Sequence, residues 1–204
     1  MAKFPEPPAA LEEPAEIKVL PAETQLWRVH YLGGTYPSAW NEFRFWGPTT
    51  SRFDHHTPPA TKQTRGVMYL ADWPTTCLAE VFQATRVIDR KRDEPWLTGF
   101  ETARDLRLLD LTGAWPTRAG ASMAINAGPR PRAQRWSRLI YETYEDIDGL
   151  HYCSSMHANE PAVALYERAR SALPAAPIFS RALADAALLS RLDAVSLRLG
   201  YALI

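Results

Sequence analysis

Hydrophobic and polar positions in this chain follow two periods, and the switches between them mark its elements. QLWRVHYL is short and rich in β-branched and aromatic side chains, and it ends at Gly33 and Gly34, which predicts a first strand over about 26–31. GVMYLA predicts a second strand over 66–71. Asp72 then stands as an N-cap and Pro74 in the first turn of a helix that runs to about Thr85. On that helix Leu78, Val81 and Phe82 share a face, Cys77 lies at its margin, and Glu80 points away. Residues 86–94 are mostly charged and predict an exposed connection. LRLLDLTG predicts a strand over 106–113, closed by a glycine turn. In PRAQRWSRLIYETYEDIDG, the residues Trp136, Leu139, Ile140 and Tyr144 recur at helical spacing, with Gly149 as the stop. GLHYCSS and AVALYE predict two further strands, and Leu183, Ala187, Leu188, Leu192, Val195 and Leu199 predict a helix over about 180–199. Strands and helices interleave without a strict βαβ rhythm, so the predicted class is α+β.

Two stretches escape both periods. Residues 1–22 hold five prolines and four glutamates with few large apolar side chains, which predicts a mobile or loosely docked arm ahead of one domain over 23–204. Residues 35–64 are irregular but carry Tyr36, Trp40, Phe43, Phe45, Trp46 and Phe53. A long loop with that many rings inside a compact domain is expected to be functional rather than disordered.

Composition narrows the function classes. A chain of 204 residues suits a single core. Its 23 cations balance 23 anions, and a neutral chain lacks the excess of positive charge that displaces counterions from nucleic acid. No apolar run has signal-peptide or membrane-span length, and only Cys77 and Cys153 are present, so the expectation is a cytoplasmic protein with reduced thiols.

Candidate chemistry is sparse. There is no P-loop, GxGxxG, HExxH or GxSxG motif. HYCSSMH offers His151, Cys153 and His157, but no second Cys/His group stands at zinc-site spacing, and a half-buried strand with a loop histidine is the preferred account. No metal is expected. Glu80 is either an ordinary solvated residue or a carboxylate facing a cleft roofed by the aromatic loop. Arg44 and Arg52, set among that loop's rings, fit either a solvated surface or a site for a flat ligand with phosphates. Arg28 lies on the first strand, facing solvent or a polar cleft, and Ser154 and Ser155 end a strand without an activating histidine.

Set in order, LWRVHY, NEFRFWGPTTSRFD, GVMYLADWPTTCLAE, DGLHYCSS and AVALYER resemble the RES family, the toxin half of bacterial Xre–RES toxin–antitoxin pairs, over about residues 24–170. The resemblance implies one ADP-ribosyltransferase-like domain with a mostly antiparallel β core flanked by helices. It implies NAD as substrate, cleaved at the nicotinamide–ribose bond by a glycohydrolase or phosphorylase, with water or inorganic phosphate as acceptor. Arg28, Glu80 and Ser154 would be the family's arginine, glutamate and serine, with Ser155 one residue off that register. Arg52 would be a second anchor, with Arg44 as the alternative because WGPTTSRFD replaces the usual glycine-rich loop. Tyr69 would line the pocket. The implied partner is an antitoxin with an Xre-type helix-turn-helix domain. A mono-ADP-ribosyltransferase and a non-catalytic binding module are the competing readings. The apolar stripe from Leu183 to Leu199 fits either an antitoxin surface or packing on the domain's own core.

Overall fold

The computed structural model describes residues 3–204. In chain order the elements are β1 (Ile17–Leu20), β2 (Gln25–Tyr31), β3 (Arg44–Gly47), β4 (Thr61–Ala71), α1 (Pro74–Val81), β5 (Val87–Ile88), β6 (Pro95–Glu101), β7 (Leu106–Asp110), α2 (Trp115–Arg118), α3 (Arg130–Thr143), β8 (Gly149–Cys153), β9 (Pro161–Tyr166), β10 (Phe179–Ala182), α4 (Leu189–Leu199) and β11 (Ala202–Leu203). Nine strands form one sheet in the order β1-β7-β8-β9-β4-β2-β6-β10, with β3 added beside β4. Only the β7–β8 pair in it is parallel. The α+β class and the mostly antiparallel core are therefore as the sequence implies.

Both faces of the sheet are covered, and the period of two shows which residue goes where. Along β4, Val67, Tyr69 and Ala71 join the core beneath the helices, while Met68 and Leu70 join a smaller core on the opposite face. Along β9, Ala162, Ala164 and Tyr166 take the helix side, and Val163 and Leu165 take the other. Trp115, Trp136, Ile140 and Leu78 seat α2, α3 and α1 on the larger core. The stripe read over 183–199 lies there too, with Leu183, Leu188 and Leu192 buried, so its main job is to close the domain's own core.

Several local expectations shift. Asp72 does not cap α1: Trp73 holds that position without a side-chain bond, and the helix stops at Val81, well before Thr85. Gly149 is no helix stop, since α3 ends at Thr143 and Gly149 opens β8. A Cβ there would stand 2.2 Å from the Ala164 carbonyl oxygen on β9, so the sheet admits only glycine at this position. The helix read over 180–199 divides into β10 and α4, and α4 ends at Gly200 in the left-handed conformation (φ 65°). From residue 3 onward the arm is docked on the domain rather than loosely held. Ile17–Leu20 pairs with β7, Phe4 is buried against Gly128, and Glu6 pairs with Arg132 and Arg135. The loop over 35–64 contains β3 and the first residues of β4.

One feature of the sheet opens the molecule. The edge of β4 pairs with β3 at Thr61, Lys62 and Val67, but with β2 only at Ala71. Between those contacts the two neighbours part, leaving Met68–Leu70 unpaired on that side.

Candidate active site

A cavity of about 870 Å³ occupies this parting. That is within the size of ordinary small-molecule sites. Because it lies in a gap between strands, side chains from both sheet faces reach it. Met68 and Leu70 come from one face, and Tyr69, Cys77 and Glu80 from the other. The same gap explains how Arg28 takes part. By strand alternation it shares a face with Leu26, opposite Trp27 and Val29, yet it lines the cavity that Glu80 also lines.

Glu80 is fixed by its neighbours. The Ser154 hydroxyl donates to its Oε1 at 2.5 Å, and Gln83 Nε2 donates to its Oε2 at 3.2 Å. Gln83 is held in turn by Arg130, whose Nη2 donates to Gln83 Oε1 at 2.5 Å. Ser154 is fully buried, and its Oγ accepts from the backbone N–H groups of Met156 (3.2 Å) and His157 (3.1 Å). With both lone pairs and its proton engaged, that hydroxyl is a carboxylate anchor rather than a nucleophile. Ser155, one residue on, is exposed and lies outside the cavity lining. The helical wheel places Val81 on the buried side of α1, but Val81 is 37% exposed and lines the cavity beside Glu80. Buried Thr76 and Ala79 take up that packing face instead.

Arg28 has a structural task as well as a position. Its Nη1 donates to the carbonyl oxygens of Ala39 (3.2 Å), Trp40 (2.7 Å) and Glu42 (2.9 Å), which pins the aromatic loop to β2. Those bonds use neither Nη2 nor Nε. Burial pushes its pKa down to about 10, so the guanidinium stays charged at neutral pH and still has donors to offer a ligand. His30, two residues on, bonds the Ser38 carbonyl at 2.9 Å and the Thr98 hydroxyl at 3.0 Å, holding the same loop.

The two loop arginines part company. Arg44 lines the cavity, but its charge is paired with Asp54 at 3.0 Å and its Nη1 donates to the Trp46 carbonyl. Asp54 is fully buried. Burial would raise its pKa, but bonds from His56 and Thr49 and the charge of Arg44 hold it well below the usual carboxylate range. Arg52 is outside the lining, and its Nη1 donates to the Gly128 carbonyl at 2.5 Å. Burial, and then the proximity of Arg130, lower its pKa, while nearby Glu80 acts the other way, so Arg52 stands close behind the lining.

Tyr69 lines the cavity, while its hydroxyl is fully buried close to Ser51 and the Phe53 backbone. Burial raises the pKa of Tyr69 and of Tyr152, a second cavity residue packed 4.7 Å from the Phe53 ring, so both phenols stay protonated. Cys77 likewise remains a thiol, raised by burial, with Sγ 2.9 Å from the Trp27 carbonyl. The cavity thus offers the held Glu80 side chain, the Arg28 cation, two aromatic walls and no activated sulfur nucleophile. Among the described residues no cluster of three His, Cys, Asp or Glu side chains could hold a metal. His151 lies 3.6 Å from Asp110, away from this site.

The sequence profile of the RES domain matches residues 25–186. The chain belongs to the RES-domain family. No curated protein matches it. Among solved structures, this RES-domain protein is similar to the M. tuberculosis MbcT–MbcA toxin–antitoxin complex. One chain aligns with a TM-score of 0.57 and 18% identity, over 86% of this chain and 92% of that one. At that identity the likeness speaks for the fold. Residues the sequence did not single out for this RES domain are Gln83, Arg130 and Tyr152. The only signal for Gln83 was its spacing of three from Glu80, one helical turn on.

Proposed function

We propose that the protein is a toxin that degrades NAD by cleaving the nicotinamide–ribose bond, and that an antitoxin with an Xre-type helix-turn-helix domain keeps it in check. The observation that carries this reading is the Glu80 carboxylate, held by Ser154 at 2.5 Å in a cavity that Arg28 and Tyr69 also line. The neighbouring MbcT fold, found in a toxin–antitoxin complex, supports the cellular role.

The proposed chemistry asks little of proton transfer. As the C1′–N bond breaks, nicotinamide leaves neutral with the electron pair and needs no acid, while positive charge develops on the ribose. A fixed carboxylate beside that ring stabilises the charge, as carboxylates do in glycoside cleavage. Water or phosphate then bonds to C1′ and gives up a proton to solvent. The free donors of Arg28 bind the pyrophosphate, and the Tyr69 ring helps to orient the nicotinamide end. No metal enters the scheme.

The test is to incubate antitoxin-free protein with NAD, with and without inorganic phosphate, and identify products by mass. ADP-ribose indicates water as acceptor, ADP-ribose phosphate indicates phosphate, and a labelled polypeptide indicates transfer to protein. Intact NAD under every condition would overturn the reading.

A further inference from the structure

The cavity extends well beyond the groups that the reaction needs. Along β4 its lining runs from Ala71 and Tyr69, beside α1, to Lys62 near the other end of the strand. Seven residues of extended chain separate Tyr69 from Lys62, a distance of up to about 23 Å. At that outer end Trp46 on β3 is the direct partner of Lys62 on β4, so the indole and the ammonium stand side by side on one face. Both line the cavity, as does Tyr36. Trp46 is 55% exposed and Tyr36 is 86% exposed, although rings of this size are normally buried. Among the described residues Lys62 has neither a salt-bridge nor a hydrogen-bond partner, whereas nearby Arg44 is neutralised by Asp54. An open aromatic face beside an uncommitted cation is the arrangement that takes a purine ring and its adjoining phosphate.

We propose that Trp46 and Lys62 form a subsite for the adenosine half of the dinucleotide, with Trp46 stacking on adenine and Lys62 facing a phosphate. This rests on the reading of the cavity as an NAD-cleaving site. If the scissile bond lies beside Glu80, nicotinamide and its ribose fill the α1 end, and the second base extends along β4 to the only exposed aromatic rings on the lining. The subsite would then set the preference for a dinucleotide over a mononucleotide.

ADP is the probe, since it carries adenine and two phosphates and lacks nicotinamide. Its affinity for the full chain is measured by calorimetry in the wild type, Trp46→Ala, Trp46→Phe and Lys62→Ala. Trp46→Ala should weaken ADP by about five- to hundredfold. Trp46→Phe, which keeps an aromatic face, should retain most of the affinity. Lys62→Ala should cost about two- to fivefold, and less at high salt. In NAD turnover the Trp46→Ala loss should fall on KM. No ADP binding by the wild type, or an ADP affinity indifferent to Trp46→Ala, would overturn the subsite. Trp46-dependent ADP binding without NAD cleavage would uphold the subsite and remove the reaction. NAD cleavage with ADP binding indifferent to Trp46 would do the reverse.

Discussion

If Ser154 holds Glu80 in place, the two side chains must be energetically coupled, and a double-mutant cycle measures this directly. The perturbations are Ser154→Ala, Glu80→Ala and both together. The bond between them is 2.5 Å long, it joins a hydroxyl to a carboxylate, and the serine is fully buried, so water cannot replace the lost donor. Hydrogen bonds to charged groups of this kind contribute about 1.5–3 kcal/mol. Ser154→Ala also strands the Met156 and His157 N–H groups, at about 1–3 kcal/mol of desolvation cost. Glu80→Ala also loses the Gln83 contact. Those side effects occur in the single and the double variants alike and cancel in the cycle, which isolates the pair. Urea unfolding, read from midpoints at a common slope, gives the four stabilities. The expected coupling is about 1.5–3 kcal/mol, with Ser154→Ala the more destabilising single change. A coupling below about 0.5 kcal/mol, within ordinary non-additivity, would refute the anchor.

Three further outcomes follow from particular contacts. Tyr69→Phe removes a buried hydroxyl without a well-formed hydrogen bond, so the unliganded protein should gain up to about 1 kcal/mol in urea unfolding; a loss of stability would contradict this. Arg28→Lys keeps the charge, but its ammonium stops one bond short of the Nη1 that bonds three carbonyls, so amide exchange across residues 35–43 should quicken as activity falls; unchanged exchange would count against the loop-pinning role. His55 is buried, both ring nitrogens lack partners, and burial followed by the nearby His56 lowers its pKa to about 3. The unfolded chain therefore binds the extra proton between about pH 6.5 and 3, and stability falls as pH drops through that window, by at most about 1.4 kcal/mol per pH unit. His55→Phe should flatten part of that slope between about pH 6 and 4.5, where Asp54 is still ionised. His30 and His157, also lowered by burial, and Glu6, lowered by its bonds from Arg135 and Arg132, contribute to the rest of the slope, and an unchanged slope would refute the assignment.

Much of the chain was legible from one dimension. Alternation in QLWRVHY, GVMYLA, LRLLD, GLHYC and AVALY marks five of the strands that build the sheet, because a period of two is a local property of extended backbone meeting a two-sided core. The short ordered motifs around Arg28, Tyr69, Glu80 and Ser154 pointed to the family, because each keeps its residue types within a few positions. The docked arm and β6 left weaker traces. Ile17–Leu20 becomes a strand only because β7 offers it an edge, and Phe4 is buried only because α3 is there to receive it.

Periodicity could place Glu80 away from Leu78 and Phe82, but it could not say whether that direction was solvent or a cleft. The answer depends on where β2 and β3 part along β4, a register relation that joins Trp27 to Ala71 and Arg44 to Val67. The same gap decides that Arg28 and Tyr69, from opposite sheet faces, meet one cavity, and that Arg44 lines it while Arg52 does not. Ser154 and Ser155 are equivalent as letters and differ only through the turn after β8, which buries one and exposes the other. Local patterning set most of the core strands and the chemical types available, because alternation and side-chain chemistry are local properties. Which of those side chains face one another was decided by strand pairing, because pairing is where distant parts of the chain acquire a common geometry.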